Sequence, residues 1–302
     1  MPRFDVTLAG ELNLDLILYG LPEELPPERE LLAHDMMLTL GGSSSIVAHN
    51  LAALGCRVGF ISKIGNDPLG EIALDRLRES GVDVGNVLRD TKLKTGLTVI
   101  LSRTRWRNIL TYMGTISELG YEDLDLGYLC DSRHFHLSSY YLQRKLQPGI
   151  IDLFRKLKDA GVTISLDTND DPEGRWEDNI LQVLKVVDVF MPNEREAKAI
   201  GGSEDLETAV ERLAQTVPLI VVKTGSQGAL ARRGKERFEC PAVSIQVVDA
   251  VGAGDSFNAG FISQFVQGAP LERCLEIGNQ TGAKSTTQPG GTEAFRRRRQ
   301  TA

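Results

Sequence analysis

Short apolar runs alternate with longer amphipathic stretches along most of this chain, and that alternation limits the architecture to one broad class. Phe4 to Leu8, Val58 to Ile61, 162–167, 187–191 and 218–223 read as strands. Ser43 to Leu54, Pro68 to Ser80 closed by Gly81, 148–160, 176–184, 194–200 and 206–215 carry helical spacing. Strands separated by helices run the same way, with helices covering both faces of the sheet. The pattern predicts an α/β fold with a central, mostly parallel sheet flanked by helices.

Two stretches, 12–40 and 95–113, break the alternation. Both read as strands joined by polar turns without an intervening helix, the second spelling TGLTVILSRTRWRNILTYM. They predict a small β-sheet projecting from the main body. With no repeat, low-complexity tract or dividing linker, residues 1–302 read as a single domain that carries this sheet.

A net charge of -7, from 34 basic and 41 acidic residues, argues against nucleic acid as a partner. Cys56, Cys130, Cys240 and Cys274 are scattered with no CxxC pair, which points to a reducing cytoplasm rather than a zinc site or disulfide framework. No uninterrupted apolar stretch reaches the ~18 residues of a membrane span, and no leading segment suits a signal peptide. The run Arg296-Arg297-Arg298-Arg299 reads as a solvated terminal charge cluster, with an anionic partner as the alternative.

Chemistry concentrates in VVDAVGAGDSFNAGF, residues 247–261. Val243 to Val248 is a β-type run and Ser256 to Val266 has helical spacing, so Gly252, Ala253 and Gly254 fall at a strand-to-helix junction. Amides at a helix N-terminus carry partial positive charge, and glycine lets an anion approach them closely. Such a turn suits a phosphoryl group in transfer, with Asp255 in the first turn beside the attacking hydroxyl. Taken alone, GxGD equally describes a glycine turn with a capping acid. GAGDSF lacks the third glycine of a dinucleotide fingerprint, having Phe257 there, and GAKST at 282–286 lacks the spacing of a Walker loop.

Four other segments give that turn its context. They are Gly41-Gly42 opening a helix, IGNDPLGEIALDRLRESGVDV at 64–84, MPNEREA at 191–197 and VVKTGSQGAL at 221–230. In order and spacing, together with DAVGAGDSF, they resemble the PfkB (ribokinase-like) carbohydrate kinases over nearly the whole chain. The resemblance implies a ribokinase-like fold whose small sheet is a lid over the sugar and often a dimer interface. It also implies transfer of the ATP γ-phosphate to an alcohol group.

Residue roles follow from the same resemblance. Asp255 matches the catalytic base, and Gly252, Ala253 and Gly254 match the anion hole that stabilises the phosphoryl charge. An aspartate is a weak base for an alcohol, so orientation and late proton transfer are expected to matter more than basicity. Asn193 and Glu196 match the NxxE element that holds hydrated Mg2+; spaced by three, they would share a helix face. In isolation the pair reads as an N-cap and a solvated glutamate. Gly225 and Gly228 match a loop against which the nucleotide lies, and Asn279 a position beside the adenine, with a surface polar residue as the plainer reading. Asp15 matches the acid that accepts from sugar hydroxyls, with Asn13, Gly41, Gly42, Ser43 and Asn50 around it. Asp249, with Gly290 and Gly291, lies where the family has a monovalent-cation loop, which makes K+ a candidate. Trp106, between Arg105 and Arg107, falls at the expected tip of the lid, in an interface or lid-packing role rather than stacking on substrate.

Three departures from the family pattern bear on the substrate. Ile46 stands where the family usually places a substrate-binding asparagine, leaving Ser43, Ser44, Ser45 or Asn50 to compensate. Asp171 stands near a position that tends to be basic in relatives handling acidic sugars, and a carboxylate there would repel an anion. Ala250 replaces a more usual threonine. His134 and His136 point to one face of a strand and invite a metal reading, but no third ligand is evident and packing near the pocket is the better account. The expectation is an ATP-dependent kinase of a small neutral sugar that works with Mg2+ and dimerises through its lid. A nucleoside kinase of the same fold and a non-catalytic sugar-binding relative stay open, whereas the missing fingerprint disfavours a dinucleotide oxidoreductase.

Overall fold

The computed structural model describes residues 1–103, 106–177 and 179–296, so Arg105 and Arg297 to Arg299 lie outside the described residues. Phe4–Ala9 (β1) leads into a hairpin-like pair, Asn13–Tyr19 (β2) and Asp35–Gly41 (β3), and then into helix Ser43–Ala53 (α1). Val58–Gly65 (β4), Pro68–Glu79 (α2) and Asp83–Asp90 (β5) follow. Next come Leu97–Ser102 (β6), Arg107–Tyr112 (β7), Leu126–Cys130 (α3), Ser132–Leu137 (β8), Ile150–Asp159 (α4), Thr163–Leu166 (β9), Ile180–Leu184 (α5) and Val189–Phe190 (β10). The chain continues through Glu194–Gly201 (α6), Leu206–Leu213 (α7), Leu219–Lys223 (β11), Ala229–Arg233 (β12), Glu236–Cys240 (β13), Ala253–Phe265 (α8) and Leu271–Ser285 (α9).

Among the described residues the large sheet has the order β13-β12-β11-β10-β9-β8-β1-β4-β5. From β11 to β5 every neighbouring pair is parallel, and β11, β12 and β13 close that edge as an antiparallel meander. Two apolar layers cover the two faces. One contains Phe135, Phe154, Leu166 and Phe190, the other Leu8, Val47, Phe60, Phe257 and Phe261. Each fully buried side chain of this kind contributes about 1.5–3 kcal/mol relative to exposure. The small sheet, β3-β2-β6-β7, is separate and holds the two segments that lack helices. Its β2 and β6 run parallel in register from Leu14 with Leu97, while β3 and β7 flank them antiparallel.

The alternation predicted much of this; α3 and α9 went unread, and four further differences stand out. The expected helix at 176–184 is confined to Ile180–Leu184, because Trp176 and Asn179 both take left-handed backbone angles that an α-helix cannot contain. The apolar run Val243 to Val248 is not a strand: it has no strand partner, and Val248 and Asp249 donate instead to the Thr286 carbonyl at 2.8 and 3.2 Å. Helix α8 begins at Ala253, three residues before the expected Ser256. Strands β5 and β13 form the edges of the sheet and carry more exposed side chains, and β12 beside β13 buries only Ala229, Leu230 and Ala231, so their apolar pattern is weak.

Candidate active site

In a doubly covered parallel sheet the carboxyl ends of the strands are where side chains escape the helices and meet in a crevice. Here β1 delivers Glu11, β8 delivers Ser139, β9 delivers Asp167 and Asn169, β10 delivers Asn193, and β11 ends on Lys223. The small sheet supplies Asn13 and Asp15 from β2, and the start of α8 supplies Asp255.

On the acceptor side Asp15 is buried, and a Cβ on Gly41 would collide with its Oδ1. Glycine at 41 is therefore what makes room for the carboxylate. Gly42 takes φ +81° and precedes α1, where a side chain would strike Asn13 Oδ1 at 2.5 Å. Asn13 is buried with that Oδ1 unpartnered among the described residues, an acceptor aimed at something the fold itself does not provide. The Thr98 hydroxyl favours the charged form of Asp15, and the Ser43 hydroxyl that of Asp255. Asn169 also reaches Ser43, donating to its Oγ at 2.9 Å.

Burial, then the charge of Asp255, pushes Asp15 up to about 7. Burial, then Asp167, raises Asp255 to about 6, against the opposing pull of Lys223. The two acids, one from the small sheet and one from the main body, thus sense each other.

Gly252 adopts φ +70°, and its Cβ would meet the Gly291 backbone at 2.5 Å. This bend turns the chain into α8 and leaves the first-turn amides pointing out of the helix. Ala253 N–H closes a turn on the Ala250 carbonyl at 3.3 Å, which leaves Gly254 and Asp255 as the amides best placed for an anion. Beside them lies a groove of about 580 Å³ lined by Lys223, Gly225, Gly228, Val243, Ile245, Val247, Phe257, Gly254 and Asn279. The apolar run that fails to form a strand is one wall of this groove. Asn279 is buried rather than a surface residue, and its Nδ2 donates to the carbonyls of Cys240 and Pro241 at 2.9 and 3.0 Å, holding that wall.

The side chains of Asn193 and Glu196 meet, as a cap and its third helical residue rather than as two residues within the helix. Asn193 is the N-cap of α6 and forms a reciprocal capping box with Glu196, whose Oε2 accepts from the Asn193 amide at 2.8 Å. Glu196 is buried, not solvated, and burial followed by the charge of Asp167 raises it to about 7.

Several expectations change. Ile46 packs against Gly252 and Gly291 and does not leave a polar gap facing the acceptor. Of its proposed substitutes only Ser43 faces the pocket: Ser44 bonds Glu11, Ser45 bonds the Gly41 and Gly42 carbonyls, and Asn50 donates to Ser256 Oγ and the Gly291 carbonyl. Asn50 therefore fastens α1 to α8. Asp171 does not oppose an anion from the pocket. Its carboxylate accepts three backbone amides of its own loop, from Glu173, Arg175 and Trp176, at 2.7–2.9 Å. Burial alone would raise it, yet those donors hold it below the usual aspartate range. His134 and His136 are buried, with all four ring nitrogens within 2.9 Å of hydroxyls of Thr163, Ser165 and Ser138. Burial depresses both to about 3, so they are packed neutral rings.

The residues that sequence reasoning missed are Glu11, Asp167, Lys223 and Asn258. Glu11 accepts from Ser44 N, Ser44 Oγ, Ser139 Oγ and Gln143 Nε2 at 2.5–3.1 Å, bracing the glycine turn from behind. Asp167 pairs with Lys223 and accepts from Asn258 Nδ2 at 2.5 Å. Each lies at a strand end, one or two positions past one, or one helical turn from Asp255, and that placement was the available signal.

Over residues 4–297 the chain matches the family described as pfkB family carbohydrate kinase. It belongs to that family. The match spans both sheets and the whole site, and the chain is accordingly an ATP-dependent kinase of sugars or nucleosides. It is 30% identical over 295 residues to an ATP-dependent ribose-1-phosphate kinase of Halopiger xanaduensis, covering 96% of this chain and 94% of the relative. A cytidine kinase of Thermococcus kodakarensis is 28% identical, with 91% and 93% covered. A solved structure of a candidate ribokinase II from E. coli in complex with ATP and Mg2+ superposes with a TM-score of 0.85 at 25% identity, covering 96% and 95%. The pfkB kinase has no helix, among the described residues, long and apolar enough to cross a membrane.

Proposed function

We propose that this kinase phosphorylates a hydroxyl of a small neutral sugar, with Asp255 as base and the amides at the start of α8 as anion hole. The observation that carries this reading is that Asp15 and Asp255 are both buried and both raised, that the charge of Asp255 acts on Asp15, and that Asp255 directly follows Gly254 in the wall of the groove. Asp15 and Asn13 accept from hydroxyls next to the reacting one and orient it. Asp255 accepts the proton as the acceptor oxygen attacks, which needs no strong base when transfer is late. Groups on the acceptor side, Asn13, Asp15, Ser43, Thr98, Asn169 and Asp255, are neutral or acidic, so an anionic acceptor would meet repulsion and a neutral polyol would not.

ATP occupies the groove, its adenine end between Val243, Ile245 and Asn279. Magnesium fits as a hydrated ion carried by the phosphates: no cluster of acids able to cage a metal exists among the described residues, and Glu196 offers one carboxylate near them. Bound there, it would neutralise phosphate charge. Potassium has no part in the proposal, since the neighbours of the Asp249 carboxylate are donors, the Tyr19 hydroxyl and the Val251 and Gly290 amides, rather than oxygen ligands. We also assign the lid a self-association role, because β7 is exposed along its length and Trp106, Ile109, Leu110 and Tyr112 present apolar surface to solvent. A cytoplasmic setting, with ATP and free thiols, completes the reading.

The test is ADP release from Mg-ATP across neutral hexoses, pentoses, nucleosides, sugar acids and sugar phosphates. Turnover that depends on a neutral sugar supports the proposal; preference for a nucleoside or an anionic acceptor replaces its substrate class. Thermal stabilisation by a sugar with no turnover would support a binding protein instead.

A further inference from the structure

Lys223 ends β11 with its side chain turned toward the start of α8. Its ammonium pairs with Asp167, lies 3.4 Å from Asn258 Oδ1 and would stand 3.9 Å from a Cβ on Gly254. Among the described residues lining the nucleotide groove it is the one charged side chain. A buried ammonium can be a structural pair and nothing more, but Asp167 has two further donors besides it. Asn258 Nδ2 donates to the same Oδ2 at 2.5 Å, and the Asn169 amide donates to Oδ1 at 3.1 Å.

The surroundings also carry an excess of negative charge. Asp167, Glu196 and Asp255 all face the ammonium, while His136 on β8 is neutral. Asp15 from the lid and Glu11 from the end of β1 add to the field at Asp255, while Arg195, which acts on Glu196, is paired with Asp170. Nucleotide phosphates entering this end of the groove would raise that excess further, and one cation is positioned to meet them.

We propose that Lys223 is the cation that contacts the transferring phosphoryl group, held beside the α8 amides by Asp167 and Asn258. The assignment rests on the kinase reading above. In the step it serves, the acceptor oxygen bonds to the γ-phosphorus as the bond from that phosphorus to the bridging oxygen breaks. The electron pair leaves on ADP, and the hydroxyl proton passes to Asp255. Lys223 keeps its proton and supplies charge; Asp167 and Asn258 are positioning residues.

The test compares wild type with Lys223→Met and with the double variant Lys223→Met/Asp167→Asn, which removes the uncompensated Asp167 charge that would otherwise destabilise the single variant. Calorimetry without acceptor measures ADP and a non-hydrolysable ATP analogue; steady-state kinetics use the best acceptor of the wild type. Both variants are expected to bind the analogue about 10-fold more weakly while ADP affinity stays nearly unchanged. Their kcat should fall by about 100-fold or more, with acceptor KM retained. In Lys223→Met the acidic limb of the kcat/KM profile should move to higher pH, because Asp255 loses the cation that holds it down. Equal loss of ADP and analogue affinity, or a folded double variant with wild-type kcat, overturns the inference. A wild type silent on every acceptor defeats the kinase reading instead, and the calorimetric arm then decides alone: an unchanged preference for the analogue in the variants overturns the contact.

Discussion

Tyr19, the last residue of a lid strand, donates a hydrogen bond to Asp249 at 2.9 Å. The same carboxylate accepts from Val251 N at 2.9 Å and Gly290 N at 3.0 Å, so one side chain ties the lid to the loop that launches α8. Burial, then the charge of Asp249, holds the Tyr19 phenol above its ordinary range and keeps it a donor. Tyr19→Phe removes a bond worth about 1 kcal/mol. Acceptor KM is expected to rise several-fold and ADP release without acceptor to increase, since closure over the pocket is loosened. Unchanged values for both would show that lid and loop are not coupled through this pair.

The close approach of Gly41 to Asp15 makes a sharper prediction. Gly41→Ala places a methyl against Asp15 Oδ1, and the carboxylate must move. A displaced orienting group is expected to raise acceptor KM and lower kcat/KM by about 100-fold, with ATP KM unchanged. Kinetics varied in each substrate separately check it, and an equal effect on ATP would contradict it.

Protonation couples the site to stability with a definite sign. Asp15 and Glu196 at about 7 and Asp255 at about 6 lie above their ordinary values of 3.8 and 4.5, chiefly through burial. The folded state therefore binds protons more tightly than the unfolded one, and these groups cost stability increasingly as pH rises from about 4 to 7. His134 and His136, lowered from 6.5 to about 3, act in reverse: their contribution is full above 6.5 and lost as pH falls toward 3. Asp15→Asn is expected to stabilise the ligand-free protein at pH 8 by about 1–3 kcal/mol and to do little at pH 4. Thermal melts at both pH values check this; a melting temperature at pH 8 no higher than wild type would contradict it.

Much of the site was legible in the chain because its parts sit at places where backbone geometry restricts residue choice. Gly41, Gly42 and Gly252 occupy close approaches or left-handed angles, and Asp255 follows the last of these. What was misread depended on partners that the residue pattern alone does not assign. Asp171 looked like a pocket charge, but its acceptors are filled by amides a few residues on; Ile46 looked like a lost contact, but it fills the space left by Gly252 and Gly291. The run 243–248 looked like a strand because apolar alternation cannot distinguish a sheet from a groove wall. Asp167 and Lys223, 56 positions apart, become a pair only when β9 and β11 flank β10 in the sheet.

The most direct test of the account is Asp255→Asn, assayed for acceptor-dependent ADP release and titrated with acceptor by calorimetry. The amide keeps the shape and removes the proton acceptor, so turnover should fall by about 100-fold or more while acceptor binding persists. Turnover within a few-fold of wild type would contradict the role of Asp255 as the base.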